Sequence, residues 1–153
     1  MKLRPASVIH ADDILRILDP FIISGVVLPR NKTEIIKGIN SFFVAELNSK
    51  IIGCVAIKDY SEGLFEIRSL AVEKEFNNQG IGKKLISMAV ENIIARKSPK
   101  QIFALTLRPE VFLKAGFKMA SKKQFPKKIW DDCSKCSKFD TCDELALAID
   151  ICR

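Results

Sequence analysis

Two stretches of the chain carry apolar residues at the spacing of an amphipathic helix. The first covers residues 12–23 and the second covers residues 82–96, and in both isoleucine and leucine recur every three or four positions. Pro20 is predicted to kink the first helix or to end it early, because proline lacks the N–H that a helix interior uses. Gly25 is a candidate stop signal for the same helix.

Two shorter helices are indicated by their end signals. Asn31 or Thr33 is predicted to cap a helix that runs to residue 39, because both side chains accept hydrogen bonds from free N–H groups. Pro109 is predicted to open a late helix, where proline is favoured, and Gly116 to close it.

Segments rich in valine, isoleucine and phenylalanine lie between these helices and predict β-strands. The predicted strands are residues 3–7, 41–47, 51–58, 64–72, 101–107, a strand that begins at Phe117, and residues 145–151. The polar residues 48–50 are turn-forming and join the second and third strands as a hairpin. The order of elements therefore predicts a mixed α/β fold with a central hairpin.

Length and composition fit one globular domain. The chain has 153 residues, 48% hydrophobic and 28% charged, and no run of 18 apolar residues. Its start lacks the apolar stretch of a secretory signal, so we expect a cytoplasmic protein with no membrane segment. Residues 130–153 form a cysteine-rich segment at the end of the predicted domain.

The formal net charge of +7 is explained either by a lysine-rich solvated surface or by an anionic partner. The densest basic run, residues 122–128, contains a single aromatic residue, Phe125. A surface that binds single-stranded nucleic acid interleaves several aromatic residues with the basic ones. We therefore expect no nucleic-acid partner.

The most informative segment joins a strand to a helix through a glycine pair, Gly80 and Gly82. A helix N-terminus attracts phosphate through its free N–H groups, and glycine permits close approach. Lys83 and Lys84 add positive charge there. Leu85 stands where a dinucleotide-binding loop has its third glycine, and the longer glycine spacing and Lys-Ser or Lys-Thr pair of a Walker loop are absent. A tight turn without ligand remains the alternative.

The segment from Leu70 to Gly82, LAVEKEFNNQGIG, resembles motif A of the GNAT acetyltransferases, whose pattern is Gln/Arg-x-x-Gly-x-Gly/Ala. Asn77 stands at the first position in place of Gln or Arg. Further matches are LRPA at residues 3–6, IGCVA at 52–56 and FLKAGF at 112–117. The resemblance implies an α/β GNAT fold with a mixed, mostly antiparallel central sheet flanked by helices.

The same resemblance implies acetyl-CoA as co-substrate, with its pyrophosphate on backbone amides of the loop. It also implies that strand 66–72 separates from its neighbour and that the pantetheine arm pairs with its exposed backbone. The implied cofactor-binding residues are Leu70, Ala71, Val72, Asn78, Gln79, Gly80, Ile81, Gly82 and Lys83.

Finer features resemble the short-form amino-acid N-acetyltransferases that make N-acetylglutamate for arginine biosynthesis. They are LPR at residues 28–30, FEIRSLAV at 65–72, ALTLR at 104–108 and IWDDCSKC at 129–136. An acidic amino acid favours arginines, which can grip a carboxylate with two parallel hydrogen bonds. Arg30, Arg68 and Arg108 are therefore the candidate substrate-binding residues, with an exposed salt bridge or solvated charge as the alternative for each.

Acetyl transfer requires a neutral amine, so a base must accept the proton of the substrate's ammonium group, directly or through water. Glu66 is the candidate base, and a salt-bridged sheet residue is the alternative. Thr106 is the second catalytic candidate, to hold a water or the amine. Backbone N–H groups near Leu70 are expected to polarise the thioester carbonyl. Strand alternation predicts that Glu66, Arg68 and Leu70 share one face.

Many GNAT enzymes use a tyrosine of the late helix as general acid. Phe112 occupies about that place here, and Tyr60 is the one tyrosine of the chain. A tyrosine acid is therefore not expected, and the CoA thiolate can leave without one. Cys54 lies in an apolar strand and is expected to be a core residue rather than a nucleophile.

Four cysteines lie near the end of the sequence: Cys133, Cys136, Cys142 and Cys152. The Cys-x-x-Cys pair can chelate one metal ion, so a structural zinc or iron site is a hypothesis. Reduced cytosolic thiols are the alternative.

Three functional hypotheses follow. The first is an acetyltransferase that acts on a small-molecule amino acid. The second keeps the fold but uses a protein N-terminus, a lysine or a polyamine as acceptor. The third is a non-catalytic acyl-CoA-binding sensor. A homodimer is left open.

Overall fold

The computed structural model describes residues 1–24, 30–96, 99–106, 108–121 and 145–150. The strands are β1 (Lys2–Pro5), β2 (Phe42–Leu47), β3 (Lys50–Asp59), β4 (Leu64–Val72), β5 (Gln101–Thr106), β6 (Lys118–Ala120) and β7 (Leu145–Asp150). The helices are α1 (Ala11–Ile23), α2 (Lys32–Lys37), α3 (Ile81–Arg96) and α4 (Glu110–Lys114), with short 3₁₀ turns at Val8–His10, Ile39–Ser41 and Lys74–Phe76.

The strands form one sheet in the order β1-β2-β3-β4-β5-β7-β6. All neighbours pair antiparallel except β4 and β5, which are parallel. The β2–β3 hairpin turns at Asn48 and Ser49, whose φ angles of 51° and 65° are typical of a two-residue hairpin turn. The predicted mixed, mostly antiparallel sheet flanked by helices is confirmed.

Alternate residues of β2 enter two different cores, because successive side chains of a strand point to opposite faces. Phe43 and Ala45 pack with the buried side of α3, whereas Phe42 and Val44 pack with α1 and α2. The sheet is therefore covered by α3 and α4 on one face and by α1 and α2 on the other.

Helix α1 runs through Pro20 to Ile23, so the prediction that Pro20 ends the helix early is wrong. The carbonyl of Pro20 accepts a hydrogen bond from the N–H of Ser24 (3.1 Å), and the helical ladder continues past the proline. The buried residues Ile14 and Leu18 fix the helix on the sheet, and this packing outweighs the loss of one N–H donor. Gly25, the predicted stop signal, lies outside the described residues.

Helix α2 begins with a capping box at Asn31, which decides between the two predicted caps. The side chain of Asn31 accepts a hydrogen bond from the N–H of Glu34 (2.9 Å), and the Glu34 carboxylate accepts one from the N–H of Asn31 (3.3 Å). The helix ends at Lys37, two residues before the predicted end, because Gly38 follows as its C-cap.

The other helix predictions agree closely with the structure. Helix α3 begins at Ile81, one residue before the predicted start, and ends at Arg96 as predicted. Pro109 is the N-cap of α4, and Gly116 follows that helix with a φ of +97°, a conformation that glycine adopts without a steric cost. Among the described residues, no helix is both long enough and apolar enough to span a membrane.

A glycine in β3 allows α3 to pack closely on the sheet. A Cβ atom at Gly53 would lie 3.1 Å from Cδ1 of Leu85 and 3.3 Å from the carbonyl oxygen of Ala71. Both contacts are closer than a normal van der Waals contact, and the backbone oxygen cannot move aside cheaply. Gly53 therefore sets the distance between β3 and α3.

We predict that Gly53→Ala lowers the free energy of unfolding by about 1–3 kcal/mol, the usual cost of overpacking a core. Gly38→Ala is the matched control, because its Cβ would meet only the carbonyl oxygen of Glu34 at 3.5 Å, an ordinary contact. The control should change stability by less than about 0.5 kcal/mol or stabilise slightly. Urea titration followed by circular dichroism measures both, and equal effects of the two substitutions would contradict the packing argument.

Candidate functional site

Strands β4 and β5 pair for only three residues and then separate. The described ladder runs from Leu64 opposite Gln101 to Glu66 opposite Phe103, although β4 continues to Val72 and β5 to Thr106. The separation predicted from the family resemblance is therefore present. It begins at the candidate base and leaves the edge of β4 facing an open cleft.

A β-bulge in β4 lies just beyond this point. Cys54 of β3 pairs with Ala71 and Ala56 pairs with Arg68, so Val55 alone faces two residues of β4. One of the two, Ser69, has a φ of +54°, which is uncommon for a residue other than glycine. The thiol of Cys54 donates a hydrogen bond to the carbonyl oxygen of Ser69 (3.5 Å) and so contacts the bulge from the interior.

The bulge overturns the prediction that Glu66, Arg68 and Leu70 share one face. Ile67 packs on the α3 side of the sheet, and Leu70 packs there too, although three positions separate them. Because the extra residue shifts the alternation by one, Leu70 lies on the face opposite to Glu66 and Arg68.

Two glycines with different structural roles lie where the loop enters α3: Gly80 precedes the helix and Gly82 is in its first turn. Gly80 has a φ of +79° and open space where a Cβ would stand, so its backbone conformation is what requires glycine. Gly82 packs closely, with a Cβ position 3.2 Å from Cγ2 of Val111 in α4. Asn78 also adopts a positive φ of 63°, which asparagine tolerates better than most residues.

A cleft of about 430 Å³ connects this loop with the separated strands. The predicted site residues that line it are Arg30, Glu66, Arg68, Leu70, Ala71, Val72, Asn78, Gly80, Ile81, Gly82, Lys83, Thr106 and Arg108. Gln79 is exposed and is the one predicted cofactor residue that is not among the described lining residues. The structure thus brings the predicted residues of β4, the loop, the first turn of α3 and the end of β5 to one cleft with the distant Arg30.

Glu66 is almost completely buried, with 1% of its surface exposed, yet it borders the cleft. Its Oε1 accepts a hydrogen bond from the hydroxyl of Tyr60 (3.1 Å) and lies 3.6 Å from Nη1 of Arg68. Burial removes hydration from a carboxylate, and these two donors replace part of it. The sequence analysis did not connect Tyr60 with Glu66, although six residues across a tight turn is a spacing at which they could meet.

Two of the candidate substrate arginines are stacked on aromatic rings. The guanidinium carbon of Arg30 lies 5.6 Å from the ring centre of Phe42, and that of Arg108 lies 5.4 Å from the ring centre of Phe21. A cation–π contact of this kind restricts the guanidinium group while its N–H groups can still donate. Phe21 itself lines the cleft. Sequence analysis assigned both phenylalanines only to apolar patterns, and no local signal pairs them with arginines.

Thr106 contacts the backbone that carries one of these arginines. Its hydroxyl oxygen accepts a hydrogen bond from the N–H of Arg108 at 2.9 Å. This local bond shapes the turn after β5 and leaves the threonine O–H able to donate into the cleft. The structure therefore gives Thr106 a role in positioning Arg108 that the sequence analysis did not anticipate.

Cys54 is fully buried beneath the bulge, as expected for a core residue. Burial raises the pKa of its thiol to about 12, although the nearby positive charge of Arg30 acts in the opposite direction. The thiol therefore stays protonated at neutral pH and does not act as a nucleophile.

Further residues of the cleft were missed from the sequence. Phe76 precedes the loop, and Glu110, Val111 and Lys114 come from α4. Helix α4 was predicted as an element, but its packing against the start of α3 at Gly82 depends on tertiary contacts. Lys114 thus adds a further basic side chain to a lining that already includes Lys83.

The geometry fits acetyl-CoA, the co-substrate implied by the resemblance. The first turn of α3 supplies backbone N–H groups for phosphate. The space where a side chain of residue 80 would begin is open, because Gly80 has no Cβ and no atom beyond its chain neighbours lies within 4 Å of that position. The edge of β4 beyond Glu66 offers backbone groups that an extended chain can pair with. These features would hold the pyrophosphate and the pantetheine arm of the co-substrate.

The proposed metal ligands Cys133, Cys136, Cys142 and Cys152 lie outside the described residues, so the zinc or iron hypothesis stays a prediction. Within the described ranges, no cluster of three or more His, Cys, Asp or Glu side chains is placed to hold a metal ion.

Sequence comparison places these features in a family. Residues 38–119 match the family described as acetyltransferase (GNAT) domain. An uncharacterized N-acetyltransferase of Chlorobaculum tepidum is 42% identical over 94% of this chain and 92% of its own length. An amino-acid acetyltransferase of Ralstonia nicotianae is 32% identical over 81% of this chain, but the chain spans only 28% of that relative's length.

Structural comparison agrees on the fold. N-acetylglutamate synthase from Neisseria gonorrhoeae, complexed with coenzyme A and N-acetyl-glutamate, superposes with a TM-score of 0.87 at 23% identity, over 99% of this chain and 35% of that one. A Mycobacterium tuberculosis protein in complex with CoA gives a TM-score of 0.82 at 21% identity, over 99% and 100% of the two chains. With the matched motif, the separated strands and the glycine loop in one cleft, the chain belongs to the GNAT family of N-acetyltransferases.

Proposed function

We propose that this GNAT enzyme transfers the acetyl group of acetyl-CoA to the α-amino group of an acidic amino acid, with L-glutamate as the leading candidate. The observation that carries the proposal is the charge of the cleft. Arg30, Arg68 and Arg108 line it together with the buried carboxylate of Glu66. A dicarboxylate with one ammonium group is complementary to that arrangement.

The arginines are suited to hold carboxylates. The stacking of Arg30 on Phe42 and of Arg108 on Phe21 restricts both guanidinium groups before any ligand binds. Pre-orientation reduces the conformational entropy that binding would otherwise cost. Arg68 contacts Glu66, so it is less available for a substrate carboxylate and serves partly to hold the base.

Glu66 is suited to receive the proton of the substrate ammonium, directly or through water. It lies at the point where β4 and β5 separate, next to the edge to which the acetyl donor would pair. The backbone around the bulge at Ser69 and Leu70 would polarise the thioester carbonyl through N–H groups. Thr106 completes this set by fixing the backbone of Arg108 and offering its hydroxyl to the cleft.

The relatives support the amino-acid substrate. Besides the Ralstonia protein, an amino-acid acetyltransferase of Mycobacterium tuberculosis is 28% identical over 75% of this chain and 66% of its own length. If glutamate is the acceptor, the product is N-acetylglutamate and the enzyme belongs to arginine biosynthesis.

The proposal is tested by measuring CoA thiol release with a panel of acceptors. The panel contains the common amino acids, a polyamine, a peptide with a free N-terminus and a peptide with an internal lysine. We expect the highest kcat/KM for glutamate or aspartate. Preference for the polyamine or a peptide would instead support an acetyltransferase that acts on a polyamine, a protein N-terminus or a lysine. Acetyl-CoA binding without turnover on any amine would support a non-catalytic acyl-CoA sensor.

If the loop binds phosphate, Gly82→Glu places a carboxylate where the pyrophosphate is expected. We predict that acetyl-CoA binding weakens by tenfold or more, because each lost hydrogen bond to the charged pyrophosphate costs about 1.5–3 kcal/mol. Gly82→Ala is the control for packing, since it adds only the Cβ that meets Val111 at 3.2 Å. Calorimetry gives both dissociation constants. The assignment fails if the glutamate variant binds as tightly as the alanine variant while both remain folded.

The carboxylate assignment predicts that Arg30→Ala and Arg108→Ala each raise the KM for the amino acid by roughly ten- to a hundredfold, with the KM for acetyl-CoA little changed. Arg96→Ala is the matched control, because Arg96 is an exposed arginine in the last turn of α3, outside this cleft. Steady-state kinetics with each substrate varied separately give the values. Parallel increases in both KM values would mean that the arginines support the fold or the co-substrate instead.

A further inference from the structure

The one tyrosine of the chain contacts the candidate base from inside the protein. Tyr60 is 4% exposed and its hydroxyl donates a hydrogen bond of 3.1 Å to Oε1 of Glu66. Tyr60 is not among the described residues that line the cleft, whereas Glu66 is. The tyrosine therefore stands behind the carboxylate and does not face a bound substrate.

The backbone holds Tyr60 in place through a tight turn between β3 and β4. Ser61, Glu62 and Gly63 all have positive φ angles, of 67°, 57° and 83°. Within this turn the N–H of Tyr60 donates to the carbonyl of Leu64 at 2.9 Å. The carbonyl of Gly63 accepts hydrogen bonds from the start of β5, so the turn is fixed to the strand that forms the other wall of the cleft.

The ring of Tyr60 is fixed as well. It packs against Phe103 of β5 with ring centres 5.9 Å apart, and Nζ of Lys58 lies 5.0 Å from its centre. Neither contact involves the hydroxyl group. A phenylalanine at this position would therefore keep both ring contacts and lose the hydrogen bond to Glu66.

A hydrogen-bond donor and a cation approach the same oxygen of Glu66. The Tyr60 hydroxyl at 3.1 Å and Nη1 of Arg68 at 3.6 Å both approach Oε1. A carboxylate with two heavy-atom partners on one oxygen is restricted in its rotation about the side-chain torsions. The tyrosine and the arginine thus both help to hold the carboxylate in its orientation at the cleft.

We propose that Tyr60 is a positioning residue for acetyl transfer, which acts on the rate through Glu66 and not by contact with either substrate. The proposal rests on the proposed function, because it requires that Glu66 receive the ammonium proton. In that step the N–H bond of the ammonium breaks, an O–H bond to Glu66 or to an intervening water forms, and the phenol proton stays on Tyr60. The tyrosine is therefore neither the general acid nor the base.

The test is a double-mutant cycle with the wild type, Tyr60→Phe, Glu66→Gln and the double variant. The best acceptor of the amine panel is used, kcat and both KM values are measured by thiol release, and acetyl-CoA affinity is measured by calorimetry. Thermal melting by circular dichroism establishes that each variant is folded. Phe103→Leu serves as a control that loosens the ring packing while it keeps the hydroxyl.

We expect Tyr60→Phe to lower kcat by about tenfold, the scale of one hydrogen bond to a charged group, with acetyl-CoA affinity and its KM unchanged. Glu66→Gln should lower kcat by about 10²–10⁴-fold. In the Glu66→Gln background, Tyr60→Phe should change kcat by less than about twofold, because residues that act through one group are not additive. Phe103→Leu should reduce kcat less than Tyr60→Phe does, at an equal or larger loss of thermal stability.

The outcomes separate the two claims. A normal kcat for Tyr60→Phe beside a strongly impaired Glu66→Gln would overturn the role of Tyr60 and keep the proposed function. Equal losses from Tyr60→Phe in both backgrounds would show that Tyr60 acts independently of Glu66, which also overturns the proposal. A near-normal kcat for Glu66→Gln would remove the base of the proposed function, and the positioning role would fall with it.

Discussion

The bulge in β4 is the constraint on which the cleft depends. Ser69 adopts a φ of +54°, and such a conformation costs a residue other than glycine about 1–3 kcal/mol unless its surroundings enforce it. Buried neighbours on both faces do so here, and the thiol of Cys54 donates to the Ser69 carbonyl. Before the bulge, Glu66 faces away from α3. After it, Leu70 and Val72 pack toward α3, so one strand places the candidate base on one face and core residues on the other.

The same irregularity explains why a parallel strand pair can open without exposing the core. Strands β4 and β5 share three residue pairs and then diverge, while the side chains of β4 stay packed against α3. Backbone N–H and C=O groups of β4 that lack a partner would destabilise the fold where they are buried, since buried polar groups need hydrogen bonds. An extended acyl carrier such as the pantetheine arm is suited to supply them, which links the geometry of the sheet to the chemistry of the family.

The arginines show how a charge pattern becomes selective only after folding. The net charge of +7 indicates anionic partners in general but no particular one. Stacking on Phe21 and Phe42 restricts two of the guanidinium groups, and the third lies against Glu66. The cleft therefore presents cations with restricted motion beside one buried carboxylate, and this arrangement favours the proposed acidic amino acid over a polyamine more than net charge alone would.

Local sequence patterns correctly predicted the features that depend on interactions between residues close in sequence. The bounds of α3 follow from its apolar spacing, and the Asn31 cap follows from side-chain chemistry. The bulge was missed because the prediction applied strict alternation through the polar pair Arg68 and Ser69, and only the pairing with β3 identifies the extra residue. Pro20 was misjudged because tertiary packing of α1 outweighs one lost hydrogen bond. The contact between Tyr60 and Glu66 and the stacked arginines depend on tertiary structure that local patterns do not encode.

The most direct measurement is a crystal structure of the protein with CoA and N-acetylglutamate bound. We expect the pyrophosphate at the first turn of α3, the pantetheine arm along β4 beyond Glu66, and the product carboxylates on Arg30 and Arg108 with the product's amide nitrogen beside Glu66. A product whose carboxylates contact neither arginine, or whose amide nitrogen lies away from Glu66, would contradict this expectation.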